Sequence, residues 1–93
     1  MVKIMKGRII FVDGREEFIE PKNGTDFSLE ELQTIVGGYI EIVPLGDNRI
    51  MVVNEEGHLQ NLPTNLVASF ITAQFGIFDI VGNVLVCHSS MVK

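Results

Sequence analysis

The stretch FSLEELQTIVGGYIEIV, residues 27–43, decides the fold. Ser28 stands where a helix N-cap would stand, and Glu31, three residues on, completes a capping box. Phe27 and Leu32 occupy the two positions of a hydrophobic staple. Leu29, Leu32, Ile35 and Val36 then fall on one face at helical spacing, and Gly37 supplies the stop. Such a helix, about nine residues long, is too short to stand alone and must pack on a sheet. Tyr39 to Val43 follows at once as a strand, so Gly37-Gly38 reads as a helix C-cap and a tight turn into that strand. A phosphate loop would put its glycines before a helix, at the positive end of the dipole.

Working outward, Arg49 to Val53 pairs with Tyr39 to Val43 as a hairpin around Leu45 to Asn48. With a four-residue loop, Ile40 and Ile42 share a face with Met51 and Val53, and Tyr39, Glu41 and Asn54 share the other. Asn54 to Gly57 forms a turn, and Asn61 to Asn65 (NLPTN) a bend. Thr64 or Asn65 caps a second helix running to about Gln74, with Leu66, Val67, Phe70, Ile71 and Phe75 as a wide apolar stripe expected in the core. Gly82-Asn83 turns into a last strand, Val84 to His88. On the N-terminal side, Arg8 to Val12 and Arg15 to Glu20 read as a hairpin whose Asp13-Gly14 suits a type I′ turn. Pro21 ends it, and Lys22 to Asp26 is a polar loop. The order β-β-α-β-β-α-β predicts a small α+β domain with a largely antiparallel sheet of about five strands and two short helices.

The chain has 93 residues, 46% hydrophobic and 20% charged. That fits one domain over residues 1–93, with the hairpin at about 6–20 and a core region at about 27–88, burying roughly 60–65% of the unfolded surface. Seven Lys and Arg against twelve Asp and Glu leave a net charge of −5, which argues against direct nucleic-acid binding. It is also too dilute for a nucleic-acid mimic. One cysteine excludes an internal disulfide framework. The apolar run Ile9 to Val12 is too short for a signal peptide, and Met5 reads as well as Met1 as the start. Residues 57–78 lack Lys, Arg, Asp and Glu, but their Asn, Gln, His and Pro residues predict buried or packed segments rather than a membrane span. A reducing cytoplasm is the expected location.

Three segments carry a resemblance: Leu29 to Glu41 with its VGGYIE, Val53 to Leu59 with NEEG followed by Leu62-Pro-Thr-Asn65, and Asp79 to Val86. In this order and spacing they resemble the small family catalogued as domain of unknown function 3846. The resemblance covers about Phe27 to Val86. It implies a bacterial protein of phage, plasmid or other mobile-element origin, and brings no activity, cofactor or site with it.

Candidate sites come from the residues themselves. Cys87 and His88 are neighbours on a strand and point to opposite faces, so they do not share a metal ion or form a nucleophile pair. No metal, cofactor or catalytic residue is expected. Glu16-Glu17, Glu20, Glu30-Glu31 and Glu55-Glu56 lie in turns and a helix's first turn, as a solvated face. Tyr39, Glu41, Asn54 and Glu55 form a polar patch in the four-residue-loop register, and Asn61 and Asn65 approach the same sheet edge. These six are the expected ligand-binding residues, offering an aromatic face and hydrogen-bond groups. An anionic ligand would need the few cations available: Arg8, Arg15, Lys22 and Arg49. The six phenylalanines leave open an apolar surface for a homo-oligomer or another partner. The reading is a non-enzymatic binding or interaction protein, acting on a protein or small-molecule partner, with no membrane involved. The alternatives are a hydrolase or transferase using Glu41, or an acidic inhibitor of a host nucleic-acid-binding enzyme.

Overall fold

The structure, a computed structural model, describes residues 5–93; Met1, one of the two readings of the start, lies outside them. The elements run β1 (Gly7–Ile10), β2 (Glu16–Ile19), α1 (Leu29–Val36), β3 (Ile40–Gly46), β4 (Arg49–Asn54), α2 (Leu66–Ala73) and β5 (Val84–His88), closed by a short 3-10 turn, Ser89–Met91. The five strands form one sheet in the order β2-β1-β5-β4-β3, and every pairing is antiparallel. The expected α+β architecture and element order hold.

Helix α1 starts as its sequence dictates. Ser28 Oγ accepts from Glu31 N–H, and the Glu31 carboxylate accepts from Ser28 N–H. Gly37 closes the helix at φ 81°, a left-handed conformation that a side chain would strain. Leu32 and Val36 are buried and Ile35 is half-buried, whereas Leu29 in the first turn is exposed.

The sheet has a core on each face. Leu32 and Val36 of α1, with Phe27 and Met91, cover Ile9, Ile50, Val52, Leu85 and Cys87. Ala68 of α2, with Ile80, covers Ile10, Val43, Met51, Val53, Val84 and Val86. The chain is therefore layered helix, sheet, helix.

Both hairpin turns depart from expectation. The first is not type I′: only Gly14 has positive φ (91°). Gly14 N–H bonds the Phe11 carbonyl and Phe11 N–H the Arg15 carbonyl, giving a three-residue loop with Gly14 as the left-handed bulge. Asp13 makes this turn by accepting from Arg15 N–H and Nε. The type I′ turn lies in the second hairpin, where Asp47 and Asn48 have φ 51° and 60°. A bulge between Pro44 and Gly46 absorbs Leu45, and the register pairs Ile40 with Asn54, Glu41 with Val53 and Val43 with Met51. Ile40 and Ile42 therefore do not share a face with Met51 and Val53, because a one-residue slip turns every side chain over.

Edge strand β3 is protected. The Glu55 N–H to Tyr39 carbonyl bond sets the ladder's phase, so residues 40, 42 and 44 turn their peptide groups outward. Position 44 is proline and offers no donor there.

Helix α2 hangs on Asn65, which is fully buried. Its Oδ1 accepts from Ala68 N–H, and its Nδ2 donates to the carbonyls of Ile10 and Gly82. Asn65→Ala removes a helix cap and leaves two buried carbonyls without donors. A loss of about 2–4 kcal/mol is expected in urea unfolding; a loss below about 1 kcal/mol would contradict this account.

Acid should weaken the fold through Glu31. Hydrogen bonds from the N–H groups of Ser28, then Lys22, hold its carboxyl below the ordinary 4.5. Because folding lowers this pKa, the contribution is complete above pH 4.5 and fades as pH falls through the lower folded value. Asp13, held low by Arg15, and Asp26, held low by Asn23 and Lys93, act with the same sign. The urea midpoint should drop between about pH 5 and pH 3, and less steeply in Glu31→Gln.

Candidate functional site

Three surface features share the α2 side of the sheet. The first is a groove of about 410 Å³, walled by Glu41 and Val43 of β3, Val53 to Glu55, His58 and the segment Ile77 to Val81. It forms because Thr72 Oγ1 donates to the Ile77 carbonyl and Ser69 Oγ accepts from Ile80 N–H, tying that segment along α2. His58 Nε2 lies 3.1 Å from the Asp79 carbonyl oxygen and Nδ1 3.9 Å from its carboxylate, closing one end. Glu41, Glu55 and Asp79 give the groove an acidic rim over an apolar floor.

The six residues expected at a ligand site do not converge. Glu41, Asn54 and Glu55 all line the groove, but Glu41 and Asn54 belong to opposite faces of the sheet. The Asn54 amide is spent beneath α1: Nδ2 donates to the Val36 carbonyl and Gln60, and Oδ1 accepts from Glu56 N–H. Asn65 is spent as the α2 cap. Tyr39 is exposed and outside the groove, and Asn61 is exposed in a turn at φ 55°. Of the six, Glu41 and Glu55 are left to meet a ligand in the groove.

The second feature is the outer surface of α2 and the turn after it. The stripe expected in the core is largely outside it. Helix α2 buries Ala68 and Thr72 instead, small side chains that let it lie close to the sheet. Phe70 is 83% exposed, Leu66 76%, Phe78 67% and Leu59 81%. The reading of residues 57–78 as buried or packed holds for Gly57, Asn65, Ala68 and Thr72 and is corrected for these large apolar side chains. Among the described residues no helix is long and apolar enough to cross a membrane.

The third feature is a depression of about 520 Å³ on the flank of α2, lined by Arg8, Arg49, Asp47, Gln74 and Phe75 among others. Sequence reasoning named Arg8 and Arg49 only as scarce cations. Their convergence has no local spacing signal. It arises because β5 pairs with both of their strands, Arg8 opposite Val86 and Arg49 opposite His88.

Among the described residues, no three His, Cys, Asp or Glu side chains converge as a metal site would require. Cys87 lies in the core under α1, while His88 caps the 3-10 turn with Nδ1 toward Ser90.

These features define a small antiparallel α+β domain with a groove, an exposed apolar helix face and a depression on one side. The chain belongs to the family described as Domain of unknown function (DUF3846), whose model matches residues 5–91. No curated protein and no solved structure matches it.

Burial pushes the Cys87 thiol up to about 11, so little thiolate forms near neutrality. In native protein at about pH 8, a disulfide reagent should leave Cys87 unmodified until denaturant is added. Rapid native labelling would mean the α1 face opens more readily than its packing implies.

Proposed function

We propose that this protein is a non-enzymatic interaction protein that works through the outer face of α2, and that the occupant of that face is a second copy of the chain. The observation that carries this reading is the exposure of Leu66, Phe70 and Phe78 on a segment without formal charge. Those three side chains expose roughly 340–570 Å² of apolar surface, taking large side chains at ~150–250 Å² each. An apolar area of that size is comparable to the ~300–600 Å² of the largest patch on a typical monomer, which is often functional.

Charge favours self-association over other occupants. The chain is −5 overall, so two copies repel except where they meet on neutral surface, and residues 57–78 provide it. An anionic lipid surface would call for unopposed lysines or arginines beside the apolar face; α2 has none, and Arg8 and Arg49 on its flank are offset by Glu16 and Asp47. Leu66, Phe70 and Ala73 recur at i, i+4 and i+7, a helix-contact spacing in which Ala73 leaves room for a partner's ring. A cytoplasmic setting and a mobile-element origin belong to the same reading, the latter resting on the resemblance of the three segments.

Sedimentation across a concentration series tests it. Wild type should reach twice the 10.3 kDa chain mass. Phe70→Glu should stay monomeric with an unchanged circular dichroism spectrum. Leu29→Glu, a matched change on exposed α1 surface, should still pair. A wild type that stays monomeric at the highest concentration, or a Phe70→Glu that pairs as wild type does, overturns the reading.

A further inference from the structure

We propose that the depression beside Arg8 and Arg49 is a binding site for an organic anion that joins a phosphate or carboxylate to a flat ring. This goes beyond the interaction reading and uses a different surface. In a chain of net charge −5, anions are repelled from most of the molecule. Here two of its few arginines, 41 positions apart in sequence, line one cavity of about 520 Å³. The sheet brings them there on rigid strands, which holds a site more tightly than loops would.

Each wall has a part in such recognition. Arg8 is half-buried, and Glu16 holds its Nη1 at 3.2 Å. That pair fixes the guanidinium while a planar fork of five donors leaves others free for a ligand oxygen. Arg49 is exposed and enters no ion pair among the described residues. Two guanidinium groups suit the oxygens of a phosphate or carboxylate. Asp47 lines the same cavity and His88 is the cross-strand partner of Arg49. Glu16 and Asp47 formally offset the two arginines, so the cavity is near neutral in a chain of net charge −5, which suits a singly or doubly charged ligand rather than a polyanion.

The ring requirement comes from Phe75. It is partly exposed, and its Cε1 would lie 3.8 Å from a Cβ on Gly46, so the ring borders the left-handed turn that Gly46 forms. Ile71 and Leu45 extend this apolar wall, and Gln74 lies beside it. A flat ring packed against Phe75 would gain from stacking as well as burial.

Amide chemical shifts of isotope-labelled protein, followed by NMR during titration with phenyl phosphate, AMP and inorganic phosphate, test the assignment. Phenyl phosphate and AMP should shift the amides of Arg8, Gly46, Arg49 and Phe75 at sub-millimolar to millimolar concentration, inorganic phosphate more weakly. Arg49→Gln, on exposed surface, should weaken both ring-bearing probes by ~10-fold or more, the loss of a charge-assisted contact. Phe75→Leu should weaken the ring-bearing probes and leave inorganic phosphate unchanged. The proposal is overturned if neither ring-bearing probe shifts these amides, if benzyl alcohol shifts them as strongly, or if Arg49→Gln binds as wild type does. Because the shifts are read residue by residue, a chain that fails to pair through α2 leaves this test intact.

Discussion

Val84, Leu85, Val86 and Cys87 are all buried, though neighbouring strand residues point to opposite faces, because β5 runs down the middle of the sheet with a helix over each side. The rest of the molecule depends on that strand. The N-terminal hairpin and the β3–β4 hairpin do not pair with each other; each pairs with β5. A two-stranded hairpin is marginal alone in water, so neither gains a stable hydrophobic face until β5 arrives. The same pairing sets Arg8 and Arg49 on either side of one strand, and their cavity is a by-product of how the sheet is closed.

Covering both faces of a small sheet with two eight-residue helices forces a choice about which side chains face inward. Helix α1 does so conventionally with Leu32 and Val36. Helix α2 presses Ala68 and Thr72 to the sheet, with Asn65 anchoring it to the Ile10 and Gly82 carbonyls. These small residues let the helix backbone lie close to Ile10, Val43, Met51, Val53, Val84 and Val86. What remains outside is Leu66 and Phe70. An exposed apolar face is thus the other side of a packing solution.

Much of this architecture was legible in sequence. The capping box at Ser28 and Glu31, the stop at Gly37, the final strand and the element order need only local chemistry, which short-range patterns record. Asn65 was legible as a helix cap, though not as the clamp on two distant carbonyls. The β3–β4 register was not legible, since Leu45-Gly-Asp-Asn permits either a four-residue loop or a bulge with a two-residue turn. That single ambiguity moved Asn54 away from Glu41 and dissolved the patch built on them. The outward side of α2 was equally hidden: Leu66, Val67, Phe70 and Ile71 make an apolar stripe whichever way the helix is rolled, and only the distant anchors of Asn65, Ser69 and Thr72 decide the roll. The Arg8–Arg49 pairing is long-range and left no spacing to read.

The central strand is also the last to be made. After Asn54, the end of β4, the ribosome must add 34 residues to reach His88, the end of β5, which takes roughly 2–7 s at ordinary elongation rates. Throughout that interval β1 and β4 both carry a bare inner edge, each waiting for the same partner. Pro44 guards the outer edge of β3 but does nothing for these two. Their own neighbours in a polysome, nascent copies of the same chain with the same vacancies, are the nearest strands able to fill them, so the speed of synthesis through residues 55–88 becomes a determinant of yield for this fold.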